Sequence, residues 1–238
     1  MSSGVHVDTG QMVEKIQMVL IFFATLFVLS VTYLLVLAVC ARALRLGVVK
    51  YVLGSGPVVM QTETFKLRFF PFRAFVEPAS RNSILPPPPR LAAALERGDL
   101  RYFDDLPFAV WLGLGFLAVI LALMGSATFL GFSPAAHCTV EGVRDYVNGV
   151  FGPFSEAPRL LGDAFRRYQR AGTPSFVGHA LAIGAAINVL WLPNTVMGLL
   201  SMSSKSASLP KIQLLAWLLW RATEVVWFGG FLVWLSRG

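Results

Sequence analysis

The chain alternates long stretches that carry no charge with shorter basic or polar ones. The charge-free runs are Ile16–Ala41, Leu106–Val140, Ala171–Ser204 and Ile212–Trp220. About 20 apolar residues suffice to cross the hydrocarbon of a bilayer. The pattern therefore predicts spanning helices at Met18–Arg42, Pro107–Phe132, Phe176–Met202 and Ile212–Trp234, the third interrupted at Pro193-Asn194. Between the first two the periodicity changes. Val48–Leu53 and Thr64–Phe70 are β-branched and aromatic runs, joined through Gly54-Ser55-Gly56-Pro57 and a polar tip at Gln61–Glu63. Such runs with Gly/Pro punctuation read as a β-hairpin. A hairpin with open edges cannot face lipid, so it is buried in protein, lines a cavity or lies at the interface.

The fold class expected is an α-helical integral membrane protein, with four transmembrane helices and a re-entrant β-hairpin after the first. Residues 1–15 form a polar tail. Residues 16–202 form the membrane core, with the hairpin at 47–77 and a loop reaching 105. Residues 203–238 carry the fourth helix. Pro86 to Pro89 favour a stiff polyproline II spacer, and Arg90–Arg97 reads as a short helix ended by Gly98. Gly113, Gly115 and Gly125 along the second span permit close helix approach. Between the second and third spans, residues 141–172 are amphipathic. Leu161, Ala164, Phe165 and Tyr168 share one face, while Arg159, Arg166 and Arg167 supply the polar one. An interfacial helix is expected there.

Composition agrees with the membrane reading. Of 238 residues, 55% are hydrophobic and 14% charged, against about 25% charged in a soluble domain. The first apolar run exceeds a signal-peptide core, normally about 7–15 residues, and is expected to be a retained helix. The net charge of +7 does not mark a nucleic-acid partner, because ten of the twenty Lys and Arg lie between Arg42 and Arg101, flanking the first two spans. That is a positive-inside distribution with affinity for anionic membrane lipid. Loop 42–105 has ten Lys and Arg, loop 132–175 five and loop 203–211 two. The excess places loop 42–105 in the cytoplasm and both termini outside. Cys40 and Cys138 then face different sides, and no disulfide framework is expected.

Candidate chemistry is sparse. His137, Cys138, Glu141 and His179 include enough ligand types for a metal, but their spacing fits no standard motif and a surface role is favoured. No Gly-x-Ser-x-Gly occurs. Arg221 and Glu224 form a possible intramembrane polar pair, three residues apart on one helix face. It is read either as a local ion pair, with Arg221 snorkelling, or as a contact to a partner helix.

After the first span the residues run Gly47-Val48, then Leu53-Gly54-Ser55-Gly56-Pro57, Thr64-Phe65-Lys66-Leu67 and Phe70-Pro71-Phe72-Arg73-Ala74-Phe75-Val76. This resembles the re-entrant hairpin of membrane-embedded site-2 proteases, the M50 metallopeptidases, except that Arg73-Ala74 replaces the family's Gly-Gly. The resemblance extends to Asn188-Val189-Leu190-Trp191-Leu192-Pro193-Asn194-Thr195-Val196-Met197-Gly198, set against the family's Asn-Leu-Leu-Pro-Ile-Pro-x-Leu-Asp-Gly-Gly. The family holds zinc through His-Glu-x-x-His and a distant Asp. Those positions fall here on Leu35-Val36-Leu37-Ala38-Val39 and on Val196, none of which binds metal.

The resemblance thus implies a non-catalytic relative, with no catalytic residue, no metal and no cofactor, in a bacterial inner membrane. In active members an unwound substrate segment pairs with the hairpin edge. By analogy, Gly54, Ser55, Gly56, Pro57, Thr64, Phe65, Leu67, Phe70, Asn188 and Pro193 would form a groove that binds or regulates another membrane protein or transmembrane segment. One alternative is a structural subunit of an envelope or transport complex, packed through its glycine-rich second helix. A third reading is an active metalloprotease with atypical ligands.

Overall fold

The computed structural model describes residues 9–81, 86–153, 155–203 and 209–236, without the side chains at 9, 70–72, 194–203, 209–213, 216–217 and 219–221. In chain order it contains α1 (Thr9–Ala43), β1 (Val48–Gln61), β2 (Phe65–Pro78), α2 (Pro89–Glu96), a 3-10 turn at Phe103–Asp105, α3 (Phe108–Leu130), α4 (Phe132–Phe151), α5 (Glu156–Ser203) and α6 (Leu209–Ser236). Three helices are long and apolar enough to cross a membrane: Gly10–Ala43, Phe108–Leu130 and Glu156–Pro193. α6 adds a shorter apolar stretch, Ala222–Ser236, among the described residues. The expected fourth span, Ile212–Trp234, lies within α6, and seven of its positions have side chains outside the description.

Two compact units divide the chain, and α1, α3, α5 and α6 each have one end in each. The first comprises Met1–Thr25, Leu123–Ile187 and Ala216–Gly238; the second comprises Leu26–Ala122 and Asn188–Leu215.

In the first unit the core is aromatic. Met18, Phe165, Phe176 and Trp234 are buried together, with Leu161, Tyr168 and Phe231 against them. Phe165 meets Trp234 edge-on at 5.9 Å, and Tyr168 meets Phe176 at 5.0 Å. Helices approach closely where side chains are smallest. The buried Ser126 Oγ donates to the Gly178 carbonyl at 2.8 Å, and Gly142 sits where an added Cβ would lie 3.1 Å from that of Ala186. The amphipathic stretch expected at 141–172 forms parts of two helices, α4 and the start of α5. Gly172, at φ 73° and ψ 173°, kinks α5.

The helix then continues through Pro193 to Ser203, so the interruption expected at Pro193-Asn194 is absent. A proline within a spanning helix is tolerated when neighbouring groups and local backbone adjustment satisfy the freed carbonyl.

In the second unit the chain reverses after α1, with Leu46 N donating to the Ala41 carbonyl at 2.8 Å. A run of backbone bonds then ties the root of the hairpin to the start of α3. Gly47 N reaches the Arg101 carbonyl (2.9 Å), Ala79 N the Gly47 carbonyl (2.8 Å) and Phe103 N the Ala79 carbonyl (2.8 Å). Ala41, Leu46, Phe103 and Trp111 are buried there. The Asp104 carboxylate accepts from Ser80 Oγ at 3.0 Å and from Arg81 N.

α2 follows Pro88, whose φ −52° and ψ 147° suit the expected extended spacer, and gives way to Gly98 at φ 77°. Gly113 does not mediate a close approach within the chain: nothing lies within 4 Å of its Cβ position. Gly125 does, at 3.2 Å from Leu181.

Candidate functional site

The hairpin is longer than its sequence signals and is folded on itself. Gly54 and Gly56 have φ of 104° and 84°, a region in which a Cβ clashes with the backbone. They bend β1 internally, whereas the sequence reads them as a link between strands. The turn is at Thr62–Thr64, one residue beyond the expected tip, and Thr62 N donates to the Phe65 carbonyl at 2.8 Å. Beyond the turn Gln61 pairs with Lys66, Met60 with Leu67 and Val58 with Arg68; Ser55 faces Phe70 across the bend. Arg68 clamps the bend, its guanidinium donating to the Gly56 carbonyl at 3.0 Å.

Folding over gives Tyr51, Val52 and Leu53 partners on both sides. They pair with Val76, Phe75 and Ala74, and also with Phe65, Lys66 and Leu67. The two-strand ribbon is therefore locally three strands deep, with Val52 fully buried. A salt bridge of 3.0 Å from Lys66 Nζ to Glu77 Oε1 crosses it.

Phe65–Leu67, within the expected groove, has strand neighbours on both sides, because the tip of the ribbon lies back against its root. The edge left open beyond β2 is Val58–Gln61, where Val58, Val59 and Met60 are 49%, 60% and 49% exposed.

A second contact brings the other landmark to the hairpin. Arg73 stacks its guanidinium on the Trp191 ring, 3.5 Å from the centroid, and Trp191 is buried between the half-buried Asn188 and the exposed Pro193. The segment at 188–193 thus meets the ribbon through a cation–π contact. Tyr33 on α1 lies within electrostatic reach of Arg73, and its hydroxyl donates to the Leu114 carbonyl at 3.2 Å. Trp191 lies within the Asn188–Pro193 segment of the groove that the resemblance implies, whereas Arg73 and Tyr33 do not. The signal for Arg73 was its departure from the Gly-Gly pattern.

Two of the positions aligned with the family's metal ligands lie on the surface of α1. Leu35 and Val39 are 63% and 68% exposed, one helical turn apart, and Val196 lies among the side chains outside the description. In the first unit, His137 Nε2 is 3.4 Å from Glu141, while His179 Nδ1 is 2.7 Å from the Ser175 carbonyl of its own helix. Burial, and then the Glu141 charge, push the Cys138 thiol above its ordinary range. Among the described residues, no three His, Cys, Asp or Glu side chains group as metal ligands.

The Arg221 side chain lies outside the description, so its pairing with Glu224 does too. α6 meets α4 nearby through Thr223 and Trp227. Tyr146 Oη and Thr223 Oγ1 share a hydrogen bond of 2.7 Å, and Tyr146 stacks on Trp227 at 5.6 Å.

Three span-length helices point to an integral membrane protein of mostly helical build. No family model, curated protein or solved structure matches the chain.

Proposed function

We propose that the chain is a non-catalytic membrane protein that binds another membrane protein by accepting an extended segment of it along Val58–Gln61. The open edge carries this reading. Unpaired backbone groups are costly at membrane depth, and an apolar edge invites a further strand. The exposed Val58, Val59 and Met60 supply apolar contact for such a segment. The likeness to site-2 proteases supports the reading through the order of its landmarks and through the Arg73–Trp191 contact between them. Because Leu35 and Val39 face outward, the proposal rests on the strand edge and requires no relic of a zinc cleft.

We place four crossings in a bacterial inner membrane, with both termini outside. Lys15 Nζ, near the start of α1, lies 5.2 Å from the ring of Trp234, near the end of α6. The two ends thus share a level, as an even number of crossings requires. A structural-subunit reading has its own support: Gly113 opens on empty space, and Phe116, Ile120 and Met124 follow it at helical spacing with 40%, 48% and 62% exposure.

Proline separates the two. Hydrogen-bonded pairs alternate along an antiparallel ladder, so with Thr62 bonded to Phe65 and the register unbroken as far as Met60 opposite Leu67, Gln61 turns its N–H outward. Gln61→Pro removes that donor at an edge where proline is tolerated. It is expected to abolish co-purification of the partner from cross-linked membranes, while Gln61→Ala retains most of it. Both variants must accumulate and melt like the parent. A well-folded Gln61→Pro protein that keeps its partner, with Gly113→Leu losing it, favours the subunit reading.

A further inference from the structure

Two cations stand on one face of the folded ribbon, and they differ in what surrounds them. Lys66 and Arg68 are two residues apart on β2, so their side chains share a face. Lys66 is neutralised, with its Nζ 3.0 Å from Glu77 Oε1. Arg68 is not. Its guanidinium donates to the Gly56 carbonyl at 3.0 Å, and among the described residues no carboxylate pairs with it. The ribbon's other acid, Glu63, stands exposed in the turn. The Arg68 Nε is buried and has no acceptor. A guanidinium carries five N–H donors, and one neutral carbonyl leaves its charge uncompensated.

This cation lies against the open edge. Gly56 and Val58 belong to the strand that carries Val58–Gln61, and Val58 is the partner of Arg68 in the register. Residues paired across a ladder share a face. Val58 and Gln61 therefore lie with Arg68 and Lys66, whereas Met60 lies with Leu67 on the other face. A segment added beside Val58–Gln61 passes the Arg68 side chain and takes more of it out of water. Covering a cation is costly unless the covering group supplies opposite charge. A carboxylate does so best, because its two oxygens match the planar fork of a guanidinium. On the opposite face, Met60 at 49% exposure offers apolar contact.

We infer that the segment accepted at Val58–Gln61 is acidic on one face and apolar on the other, with an Asp or Glu carboxylate held by Arg68. The inference rests on the reading of Val58–Gln61 as a binding edge, and adds to it what that edge selects.

The test uses two fluorescein-labelled peptides of eight residues, alternating valine with threonine. They are identical except that one central threonine is replaced by aspartate in the first and by asparagine in the second. Their binding to the detergent-purified full chain is read by fluorescence anisotropy. The parent is expected to bind the aspartate peptide about tenfold more tightly, the worth of one charge-assisted hydrogen bond. Arg68→Gln keeps an amide donor for the Gly56 carbonyl and should reduce that preference to less than about twofold, with the asparagine peptide bound as before. Arg68→Lys should retain part of the preference. Gln61→Pro should weaken both peptides alike. The comparison of the two peptides on the parent needs no variant, so it decides the matter even where Arg68→Gln folds poorly. Equal binding of both peptides by the parent, lost in Gln61→Pro, would keep the edge and overturn the acidic selection. A tenfold preference that persists in well-folded Arg68→Gln would overturn the assignment to Arg68. Binding of neither peptide, or binding indifferent to Gln61→Pro, would remove the strand edge itself and the inference with it.

Discussion

Glycine does different work in the two units. In the first, Gly149 lies where any Cβ would run into the Trp227 ring. A Cβ at Gly178 would come within 2.7 Å of Leu130, and one at Gly230 within 2.6 Å of Ala157. These residues are absences of volume that let helices touch. In the second unit, Gly54 and Gly56 supply backbone angles closed to other residues, and Gly113 faces open space. These helix crossings of the first unit are thus fixed by side-chain volume, and the folded ribbon of the second by main-chain pairing. Their sensitivities to substitution should differ accordingly.

The largest effect is expected from volume. Gly149→Leu inserts a branched side chain against Trp227, and overpacking of this kind costs about 1–3 kcal/mol. It should lower the thermal midpoint in detergent by several degrees and abolish the Tyr146–Thr223 contact. Gly113→Leu, on an exposed face of α3, should stay within about 0.5 kcal/mol of the parent. The reverse ranking would mean that α3 is the packed helix and that the contrast between the units fails.

The same contrast explains what the sequence disclosed. Spans one and two were legible because charge-free runs of span length admit few other structures; Phe108–Leu130 lies within the expected Pro107–Phe132. The hairpin was legible from its β-branched runs and Gly/Pro punctuation. Its folding was not, because the pairing of Tyr51–Leu53 with Phe65–Leu67 is a contact between two parts of one ribbon, which strand propensity does not encode. Reading Gly54–Pro57 as a connector therefore placed the open edge at Thr64–Phe70, where Phe65–Leu67 has strand neighbours on both sides. Pro193 misled for a related reason: its cost in a helix is real in isolation but is overridden where surrounding helices compensate. Lys15 was invisible because a lysine before a span ordinarily snorkels to water, and only the packed aromatic core shows it buried.

A smaller effect sharpens the second unit. The Arg73–Trp191 stack is expected to be worth about 0.5–2 kcal/mol, depending on its desolvation. A double-mutant cycle of Arg73→Ala and Trp191→Phe isolates it from other contacts of either residue. Coupling of about 1 kcal/mol would establish that the segment at 188–193 is held to the ribbon by this pair. Arg73→Lys should recover only part of it, since an ammonium lacks the planar stacking surface of guanidinium. Coupling near zero would leave the ribbon fixed by its backbone bonds alone.

The smallest effect concerns Cys138, and it reports on which side of the membrane the first unit lies. The thiolate is the reactive form. Burial and the Glu141 charge both favour the neutral thiol, with Arg167 opposing them. Alkylation of a Cys40→Ala protein should therefore be slow at neutral pH and accelerate as pH rises through the thiol's elevated range. Glu141→Gln removes a negative neighbour, lowers that range and should speed labelling at pH 7.5, while Arg167→Gln should slow it; each change is expected to be below about threefold for a partly solvated pair. An impermeant maleimide applied to intact cells at pH 8.5 should label Cys138 if both termini and α4 face outward. Labelling only after lysis, with the same order of rates among the variants, would keep the local electrostatics and reverse the topology. Equal rates for all three proteins would instead remove Glu141 and Arg167 from the surroundings of the thiol.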